Sequence, residues 1–179
     1  MLKSTLRKKI IKIRRLKNNK NINIPFKKIY DLFKNNNDIK IIGGYYPVHH
    51  EINDLEILKN FEKKKFQTCL PIVKKNFDMD FYLWTYKDPL FVSKYGIPEP
   101  KLVKPIYPDV ILIPLVAFDK KLNRLGYGAG YYDRYIEKIT TKKNILKIGL
   151  ALSCQKINNV PVTKYDKKLD YIVTEKYIL

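Results

Sequence analysis

Two neighbouring segments decide the fold of this chain: Pro108-Asp-Val-Ile-Leu-Ile-Pro-Leu-Val-Ala-Phe-Asp119 and Asn123-Arg-Leu-Gly-Tyr-Gly-Ala-Gly-Tyr-Tyr-Asp-Arg134. The first contains a mostly apolar run, residues 109–114, which is typical of a central strand in a parallel sheet. Three glycines follow, and a helical pattern begins at Tyr131. At these glycines the chain can take a positive φ without a Cβ clash, and a helix N-terminus attracts negative charge. This order therefore predicts an anion-binding loop at the end of a buried strand.

Charged side chains flank this loop on both sides. Arg124 precedes the glycines and Asp133 follows them within about one helical turn, so a cation and a carboxylate suited to Mg²⁺ adjoin the predicted anion site. Lys3 and Arg7 are four residues apart in a segment with helical spacing, which places both on one face of a helix. That basic face is either a solvated surface or a second source of positive charge for a ligand.

The hydrophobic periodicity of the whole chain alternates between helix and strand. Helices are predicted at residues 2–17, 25–34, 53–64 and 131–139, with Asn53 as the cap of the third. Strands are predicted at residues 38–46, 66–73, 79–86, 109–114, 146–152 and 171–174, and residues 88–107 are predicted to be a loop. This alternation predicts an α/β fold, a three-layer αβα sandwich with a mostly parallel central sheet, formed by a single domain over residues 1–179.

Length and composition exclude several classes of protein. A chain of 179 residues with 45% hydrophobic residues can form a real core, which excludes a disordered protein. No apolar run reaches the roughly 18 residues of a membrane span, and the basic N-terminus lacks the apolar core of a secretory signal. We therefore expect a cytoplasmic protein without a membrane partner, with a transit peptide at the basic N-terminus as the alternative.

The formal net charge of +19 suggests nucleic-acid binding. The basic residues, however, comprise 31 lysines and five arginines, whereas recognition of bases and phosphates favours the bidentate arginine fork. We therefore expect no nucleic-acid partner. Because lysine fills most basic positions, the few arginines are expected to make contacts that lysine cannot. Three of them, Arg7, Arg124 and Arg134, lie in the segments above.

Three further segments carry candidate ligand-binding residues. Tyr46 and Glu51 follow a predicted strand, and ligands of open α/β sheets bind at the carboxyl ends of strands. An ordinary surface turn is the alternative for that segment. Tyr95, in the proline-rich loop, is suited either to stack on a planar ligand or to pack against the loop itself. Asp170, taken alone, is a turn or capping residue before the last strand.

Together these segments resemble the 5-formyltetrahydrofolate cyclo-ligase family, also called methenyltetrahydrofolate synthetase, over essentially the whole chain. The resemblance runs from Lys3-Ser-Thr-Leu-Arg7 through Arg124-Leu-Gly-Tyr-Gly-Ala-Gly-Tyr-Tyr-Asp133 to Leu169-Asp170, and its central segment is the most specific. It implies the ATP- and Mg²⁺-dependent conversion of 5-formyltetrahydrofolate to 5,10-methenyltetrahydrofolate, with release of ADP and phosphate. Ala129 departs from the glycine often found inside the family's loop.

The resemblance also implies a role for each matching residue. The residues carried over as ATP-binding are Lys3, Ser4, Thr5, Leu6, Arg7, Arg124, Leu125, Gly126, Tyr127, Gly128, Ala129, Gly130, Tyr131 and Tyr132. Those carried over as folate-binding are Tyr46, Glu51 and Tyr95, and the Mg²⁺-associated carboxylates are Asp133 and Asp170. Arg124 is in addition expected to act in catalysis. A monomer whose partners are small molecules is expected.

The chemistry of this reaction fits the residues present. A formamide carbonyl is a poor electrophile, but phosphorylation of its oxygen gives a phosphorylated formyl intermediate with a good leaving group. The protein has to position its substrates and stabilise charge on the moving phosphoryl group, so no protein nucleophile is required. The remaining alternative is an enzyme acting on sugar phosphates or coenzyme A, which would use a phosphate loop without ATP.

Overall fold

The computed structural model describes residues 3–17 and 22–179. The helices are α1 (Lys3–Lys17), α2 (Phe26–Tyr30), α3 (Leu55–Lys63) and α4 (Tyr131–Thr140). The strands are β1 (Ile41–Gly43), β2 (Gln67–Val73), β3 (Met79–Leu83), β4 (Phe91–Val92), β5 (Pro98–Glu99), β6 (Val110–Pro114), β7 (Ala117–Phe118), β8 (Arg124–Leu125), β9 (Leu146–Leu150) and β10 (Tyr171–Val173). None of the helices within these described ranges combines the length and the apolar character needed to cross a membrane.

Six strands form the main sheet, in the order β10-β9-β6-β1-β2-β3. The first five run parallel to one another, and β3 pairs antiparallel with β2 at the edge. Within the sheet, Val110 of β6 pairs with Ile42 of β1 on one side and with Leu146 of β9 on the other. The predicted α/β fold with a mostly parallel central sheet is confirmed.

Strand β6 shows why the sheet is covered on both faces. Side chains of a strand alternate between the two faces of its sheet. Val110 and Leu112 belong to the apolar core beneath α2 and α3, whereas Ile111 and Ile113 belong to the core beneath α4. All four are fully buried. A strand that is apolar at every position therefore indicates a sheet that is buried between two layers of helices.

The order of the strands reverses between β1 and β6. From β1 the chain passes to β2 on one side, and the next parallel strand, β6, is added on the other side of β1. In open α/β sheets, ligands bind outside the carboxyl ends of the strands at such a switch point. Gly44 follows β1 and Pro114 ends β6, so these two residues mark where a site is expected.

A hairpin that the sequence patterns did not predict connects β6 to the glycine loop. Its strands β7 and β8 pair antiparallel, with Phe118 opposite Arg124. Asp119 fixes the turn, because its Oδ1 accepts the N–H groups of Lys121 at 2.8 Å and of Asn123 at 3.1 Å. Strands of two residues are too short to give a periodicity signal, yet this hairpin sets where the glycine loop begins.

The structure corrects three predictions of element boundaries. The third helix begins at Leu55, two residues later than predicted, and Asp54 before it makes no side-chain cap hydrogen bond. The predicted capping contact of Asn53 is present, because its Oδ1 accepts the Leu55 N–H at 3.2 Å. The first strand is Ile41–Gly43, much shorter than predicted. The proline-rich segment is not a structureless loop, because β4 and β5 pair within it. The ends of elements depend on a few hydrogen bonds, which hydrophobic periodicity does not report.

Candidate active site

Two adjoining cavities, each of about 310 Å³, lie at the carboxyl ends of β1 and β6. The polar pocket is lined by charged residues and the glycine loop, and the apolar pocket mainly by aromatic and aliphatic side chains. Pro114, at the end of β6, lines both, so they are two halves of one cleft at the switch point. The other shared residues are Tyr127, Ala129, Tyr131 and Tyr132.

Two of the three glycines in the loop are required by the backbone. Gly128 and Gly130 have φ values of 114° and 71°, which residues with a Cβ rarely adopt. A Cβ at Gly128 would also lie 3.2 Å from Cζ of Arg7. Gly126 does not have a positive φ, and a Cβ there would meet nothing within 4 Å. The freedom to adopt a positive φ is therefore used at two of the three glycines.

The loop ends at a helix N-terminus that has no side-chain cap. Gly130 is the N-cap of α4 and adopts the left-handed conformation, so it has no side chain to accept hydrogen bonds from the first turn. The N–H groups of that turn need another acceptor, and the helix dipole favours an anion there. All of the residues predicted to bind ATP between Arg124 and Tyr132 line this polar pocket.

Helix α1 contributes two cations to the polar pocket. The Lys3 ammonium forms an ion pair with Asp166, with 2.8 Å between Nζ and Oδ2. Nε of Arg7 donates to the backbone oxygen of Gly126 at 2.7 Å. Both cations therefore contact the segments that surround the predicted anion site, as their shared helix face requires.

The other residues of the N-terminal motif do not line the pocket. Ser4 and Thr5 are exposed on α1, and Leu6 packs on a small apolar core that includes Ile10 and Val116. The helix explains the difference, because residues four apart share a face and the residues between them do not. Of the five residues carried over from the N-terminal family motif, the structure brings only Lys3 and Arg7 to the polar pocket.

Arg124 lines the polar pocket with 6% of its surface exposed. Its Nη2 lies 2.9 Å from Oδ1 of Asp133, and its Nη1 donates to the backbone oxygen of Lys167 at 2.5 Å. The backbone N–H of Lys167 donates to the same Asp133 oxygen at 2.9 Å. Among the described residues, these hydrogen bonds use only Oδ1 of Asp133, which leaves Oδ2 for a cation.

The two carboxylates predicted to bind magnesium are not brought together. Asp133 lines the polar pocket, but Asp170 directly precedes β10 and so lies at the amino end of the parallel sheet, away from the cleft. The Asp170 carboxylate accepts the N–H of Lys147 at 2.7 Å and pairs with the Lys147 ammonium at 3.2 Å. The structure thus does not bring Asp170 to the pocket that Asp133 lines.

Asp166 is a second carboxylate of the polar pocket, and the sequence patterns missed it. Burial pushes the pKa of Asp166 upward, but the Lys3 ammonium and the hydrogen bonds from Thr163 outweigh burial and hold the pKa below its usual value. The group is therefore a carboxylate at neutral pH. Asp166 lies four residues before Asp170 in the same segment, and nothing in the sequence alone favours one of these two carboxylates over the other.

The structure brings the three predicted folate-binding residues together. Tyr46, Glu51 and Tyr95 all line the apolar pocket, although they come from two loops far apart in the chain. The side chains of Tyr95 and Tyr131 interact, and with Tyr132 they give the pocket aromatic walls. Such walls suit a planar ring, which buries a large area at little conformational cost.

Glu51 is a charged group of the apolar pocket, and only 8% of it is exposed. Burial raises the pKa of Glu51, while the N–H of Val48, the Tyr127 hydroxyl and the Arg14 charge act in the opposite direction. Its Oε2 accepts the Val48 N–H at 2.8 Å, whereas Oε1 has no hydrogen-bond partner among the described residues. Because buried polar atoms are normally paired, Oε1 is available to accept an N–H from a ligand.

Arg14 is a further residue that the sequence analysis did not single out. It lies on α1, is almost fully buried, and donates to the hydroxyl of Tyr127. Arg134 also contacts the loop, through the backbone oxygen of Ala129 at 2.5 Å. Three of the five arginines therefore contact the segment between β8 and α4. A fourth, Arg124, lies in β8 and pairs with Asp133 of α4, and Arg15 is exposed. The sequence feature that could have identified Arg14 is the rarity of arginine in a lysine-rich chain.

The sequence is similar to those of known enzymes. A model of the 5-formyltetrahydrofolate cyclo-ligase family matches residues 2–175. The 5-formyltetrahydrofolate cyclo-ligase of Haemophilus influenzae is 33% identical over 138 residues, which cover 73% of this chain and 73% of that protein. The protein of the same name from Mycoplasma genitalium is 33% identical over 138 residues, which cover 75% of this chain and 72% of that protein.

Two solved structures are similar over nearly the whole chain. The NMR structure of Aquifex aeolicus 5,10-methenyltetrahydrofolate synthetase superimposes with a TM-score of 0.74 at 29% identity, covering 99% of this chain and 92% of that one. The structure of a 5,10-methenyltetrahydrofolate synthetase from Mycoplasma pneumoniae gives a TM-score of 0.72 at 26% identity, covering 98% and 99%. The similarity therefore extends to every segment that forms the cleft.

Proposed function

The chain belongs to the 5-formyltetrahydrofolate cyclo-ligase family, and on that basis we propose that it converts 5-formyltetrahydrofolate to 5,10-methenyltetrahydrofolate with consumption of ATP. The observation that carries the proposal is the divided cleft. The polar pocket has the features of a phosphate site, and the apolar pocket those of a site for a planar ring. Tyr127 and Tyr131 line both, so two ligands would lie side by side, as group transfer between them requires.

We assign the triphosphate of ATP to the polar pocket. Lys3 and Arg7 supply positive charge from α1, and Gly128 and Gly130 allow the backbone to approach an anion closely. The N-terminus of α4 adds N–H groups that no side chain caps, together with the helix dipole. These contributions come from three elements that surround one cavity, which supports a polyanionic ligand more strongly than any of them alone.

Asp133 and Asp166 fit a magnesium ion, because Mg²⁺ prefers carboxylate oxygens and takes further ligands from phosphates and water. Both carboxylates line the polar pocket. No group of three or more His, Cys, Asp or Glu side chains in the described part of the chain is arranged to hold a metal. The phosphates of ATP would therefore complete the coordination, and the bound ion would neutralise part of their charge. We do not extend this role to Asp170.

The proposed reaction has two steps. The formyl oxygen attacks the γ-phosphorus, and the bond from that phosphorus to ADP breaks. N10 then attacks the formyl carbon and loses its proton, and phosphate leaves as the ring closes. The chain has to hold the formyl oxygen in line with the γ-phosphate and to keep water away from the activated formyl group.

Arg124 has two roles in this proposal. Through Nη2 it fixes the Asp133 carboxylate, and each Nη carries a second hydrogen for the phosphoryl oxygens. A preorganised guanidinium of this kind stabilises charge that redistributes in the transition state. This second role is the catalytic one expected from the sequence.

The test is absorbance-monitored conversion of 5-formyltetrahydrofolate by the purified chain, with and without MgATP. We expect methenyl product only with MgATP, in an amount that matches the ADP released. Product without nucleotide, or ADP without folate product, contradicts the proposal. We also propose that the enzyme acts as a monomer in the cytoplasm without a nucleic-acid partner, since one chain supplies every residue assigned to the cleft.

A further inference from the structure

Tyr127 stands between the two pockets and lines both of them. Its chain neighbours are Gly126 and Gly128, which restrict the backbone less than any other residue would. The glycine loop therefore does not fix the tyrosine ring by itself. The ring instead lies 5.8 Å from the ring of His49, measured between centroids, and 5.6 Å from Cζ of Arg14.

The Arg14 guanidinium holds three segments together. Its Nη2 donates to the Tyr127 hydroxyl, in the glycine loop, and to the backbone oxygen of His49 at 2.7 Å. Its Nη1 donates to the backbone oxygen of Leu115, just after β6, at 3.1 Å. One side chain on α1 thus connects the glycine loop, the end of a central strand and the loop that carries Glu51.

The loop that carries Glu51 needs such an anchor. His49 and His50 have consecutive positive φ values of 50° and 63°. Residues with a Cβ rarely adopt this conformation, and it persists only where surrounding contacts determine it. The hydrogen bond from Arg14 to the His49 oxygen holds the first of these two residues, immediately before Glu51 enters the apolar pocket.

Stability alone does not explain a buried arginine at this position. Arg14 is 1% exposed, and its Nε has no hydrogen-bond partner among the described residues. Removing a guanidinium from water is unfavourable, and a well-packed apolar residue would avoid that penalty. What the guanidinium provides is a rigid fork that reaches acceptors on several segments at once, which a lysine ammonium cannot do.

We propose that Arg14 is a positioning residue for the reaction: it holds Tyr127 as the partition between nucleotide and folate, and it holds the loop of Glu51 against that partition. The inference rests on the proposed function, because it assumes that two ligands meet across Tyr127. With the partition fixed, the formyl oxygen and the γ-phosphate meet in one geometry. A misplacement of about 1 Å in such a step costs on the order of 10²-fold in rate.

The experiment compares the wild type with Arg14→Lys, Tyr127→Phe, the double variant and Arg15→Lys. Tyr127→Phe keeps the ring and removes only the hydroxyl, which Arg14 holds and which also interacts with Glu51, so it leaves the fold intact. Arg15 is the exposed neighbour on the same helix and provides the matched control. For each variant, the thermal midpoint, kcat and the KM for each substrate are measured in the conversion assay.

Both single variants should lower kcat by about tenfold or more, as expected on losing a hydrogen bond to a charged group, while each KM changes less. The double variant should lose less than the product of the two single losses, because both substitutions remove the contact between Arg14 and the Tyr127 hydroxyl. Arg15→Lys should keep the kcat of the wild type.

Wild-type kcat in Tyr127→Phe, or losses that multiply in the double variant, overturns the inference. An arginine that only stabilises the fold would give one of these two results, together with a lowered thermal midpoint in Arg14→Lys. If the wild-type chain does not convert 5-formyltetrahydrofolate with MgATP, the proposed function fails, and the inference about Arg14 falls with it. The two failures are therefore distinguishable, since only the second affects the wild type.

Discussion

Arg124 and Asp133, nine residues apart on opposite sides of the glycine loop, form an ion pair with 2.9 Å between Nη2 and Oδ1. The pair closes the loop at its two ends, so a glycine-rich segment with much conformational entropy is confined from both sides. It also fixes the carboxylate that we assign to magnesium. In the proposed site, anchoring of the loop and binding of the metal would therefore depend on the same contact.

Asp133→Asn should raise the Mg²⁺ requirement and slow turnover while keeping the fold. Asparagine retains an oxygen for Arg124 and for the Lys167 N–H, but it loses the charge that attracts the ion. We expect the Mg²⁺ concentration for half-maximal rate to rise by at least about tenfold, a loss that even outer-shell partners of a metal produce. The measurement is turnover at saturating ATP and folate over a Mg²⁺ titration.

Asp170→Asn is the matched control for that titration. Asp170 is bound to Lys147 at the other end of the sheet, away from the polar pocket. The dependence of turnover on Mg²⁺ concentration should therefore be the same in Asp170→Asn as in the wild type. Asp166→Asn should shift the curve in the same direction as Asp133→Asn. A Mg²⁺ titration of Asp133→Asn identical to the wild type would remove Asp133 from the metal site.

Arg124→Ala should lower turnover by about 10²–10³-fold, the usual effect of removing a preorganised donor to a transition state. Arg124→Lys keeps the charge but loses the fork, so it should recover only part of that loss. Nucleotide affinity should fall less than turnover in both. The measurement is steady-state kinetics at saturating folate with ATP varied.

The same kinetics, repeated at saturating Mg²⁺, separate the two roles of Arg124. A role in charge stabilisation leaves turnover low however much Mg²⁺ is added, and this is the result we expect. If saturating Mg²⁺ restores turnover in Arg124→Lys, the residue acts only by holding Asp133. Wild-type turnover in Arg124→Ala would leave it as an anchor of the loop.

Gly128→Ala should destabilise the unliganded protein by about 1–3 kcal/mol, because an alanine would have to adopt a strained φ. The φ of Gly128 is 114°, and the new Cβ would crowd the Arg7 guanidinium. Gly126→Ala is the control in the same loop, since its φ is not positive and its Cβ would meet no atom within 4 Å. Equal urea midpoints for the two variants would contradict this account of the loop.

Asp109→Asn should destabilise the protein at neutral pH and lose most of this effect in acid. Burial pushes the pKa of Asp109 upward, but the Lys143 ammonium and the N–H groups of Lys40 and Ile41 outweigh it, so the pKa lies below its usual value. A lowered pKa means that the carboxylate stabilises the fold above its unfolded pKa of about 3.9, and that this stabilisation is lost as pH falls through the folded pKa.

The check for Asp109→Asn is the free energy of unfolding in urea at pH 7 and at several values below pH 4. Removing a charged acceptor from two backbone N–H groups should cost about 1–3 kcal/mol at pH 7. Asp38→Asn, on an exposed side chain, should change little at any pH. A difference from the wild type that stays constant down to pH 3 would show that the charge of Asp109 is not responsible.

MgATP should raise the thermal midpoint, and RNA should not do so at moderate salt. Ligand that binds only the folded state stabilises it by about 2.7 kcal/mol at a hundred times its Kd. For a chain of 179 residues that corresponds to a rise of roughly 5–10 °C. A midpoint that rises with RNA at moderate salt, and not with MgATP, would favour nucleic-acid binding over the nucleotide site.

Local features of the sequence were enough for the fold and for half of the cleft. The apolar run of β6, the glycines after it and the helical pattern from Tyr131 are all contained within about one supersecondary unit, where periodicity and turn residues report directly on structure. The residues from Arg124 to Tyr132 therefore lie where the pattern predicts, around one pocket. The same patterns misplaced element ends and missed the β7–β8 hairpin.

The remaining part of the cleft depended on contacts between distant segments. Asp166 and Asp170 both lie in the segment before β10, and the sequence pattern does not separate them. The tertiary structure does, because it puts Asp170 at the amino end of β10 and pairs Asp166 with Lys3 at the pocket. Arg14 was one basic residue of a basic helix until the docking of α1 buried it against Tyr127, 113 residues away.

The sequence by itself therefore determined the α/β class, the central strand and the glycine loop, because hydrophobic period and backbone freedom are properties of neighbouring residues. Only the tertiary structure decided which carboxylate, which arginine and which loop meet across the cleft. The physical reason is that side-chain contacts are set by the packing of whole elements, and a chain pattern carries no record of which elements are brought together.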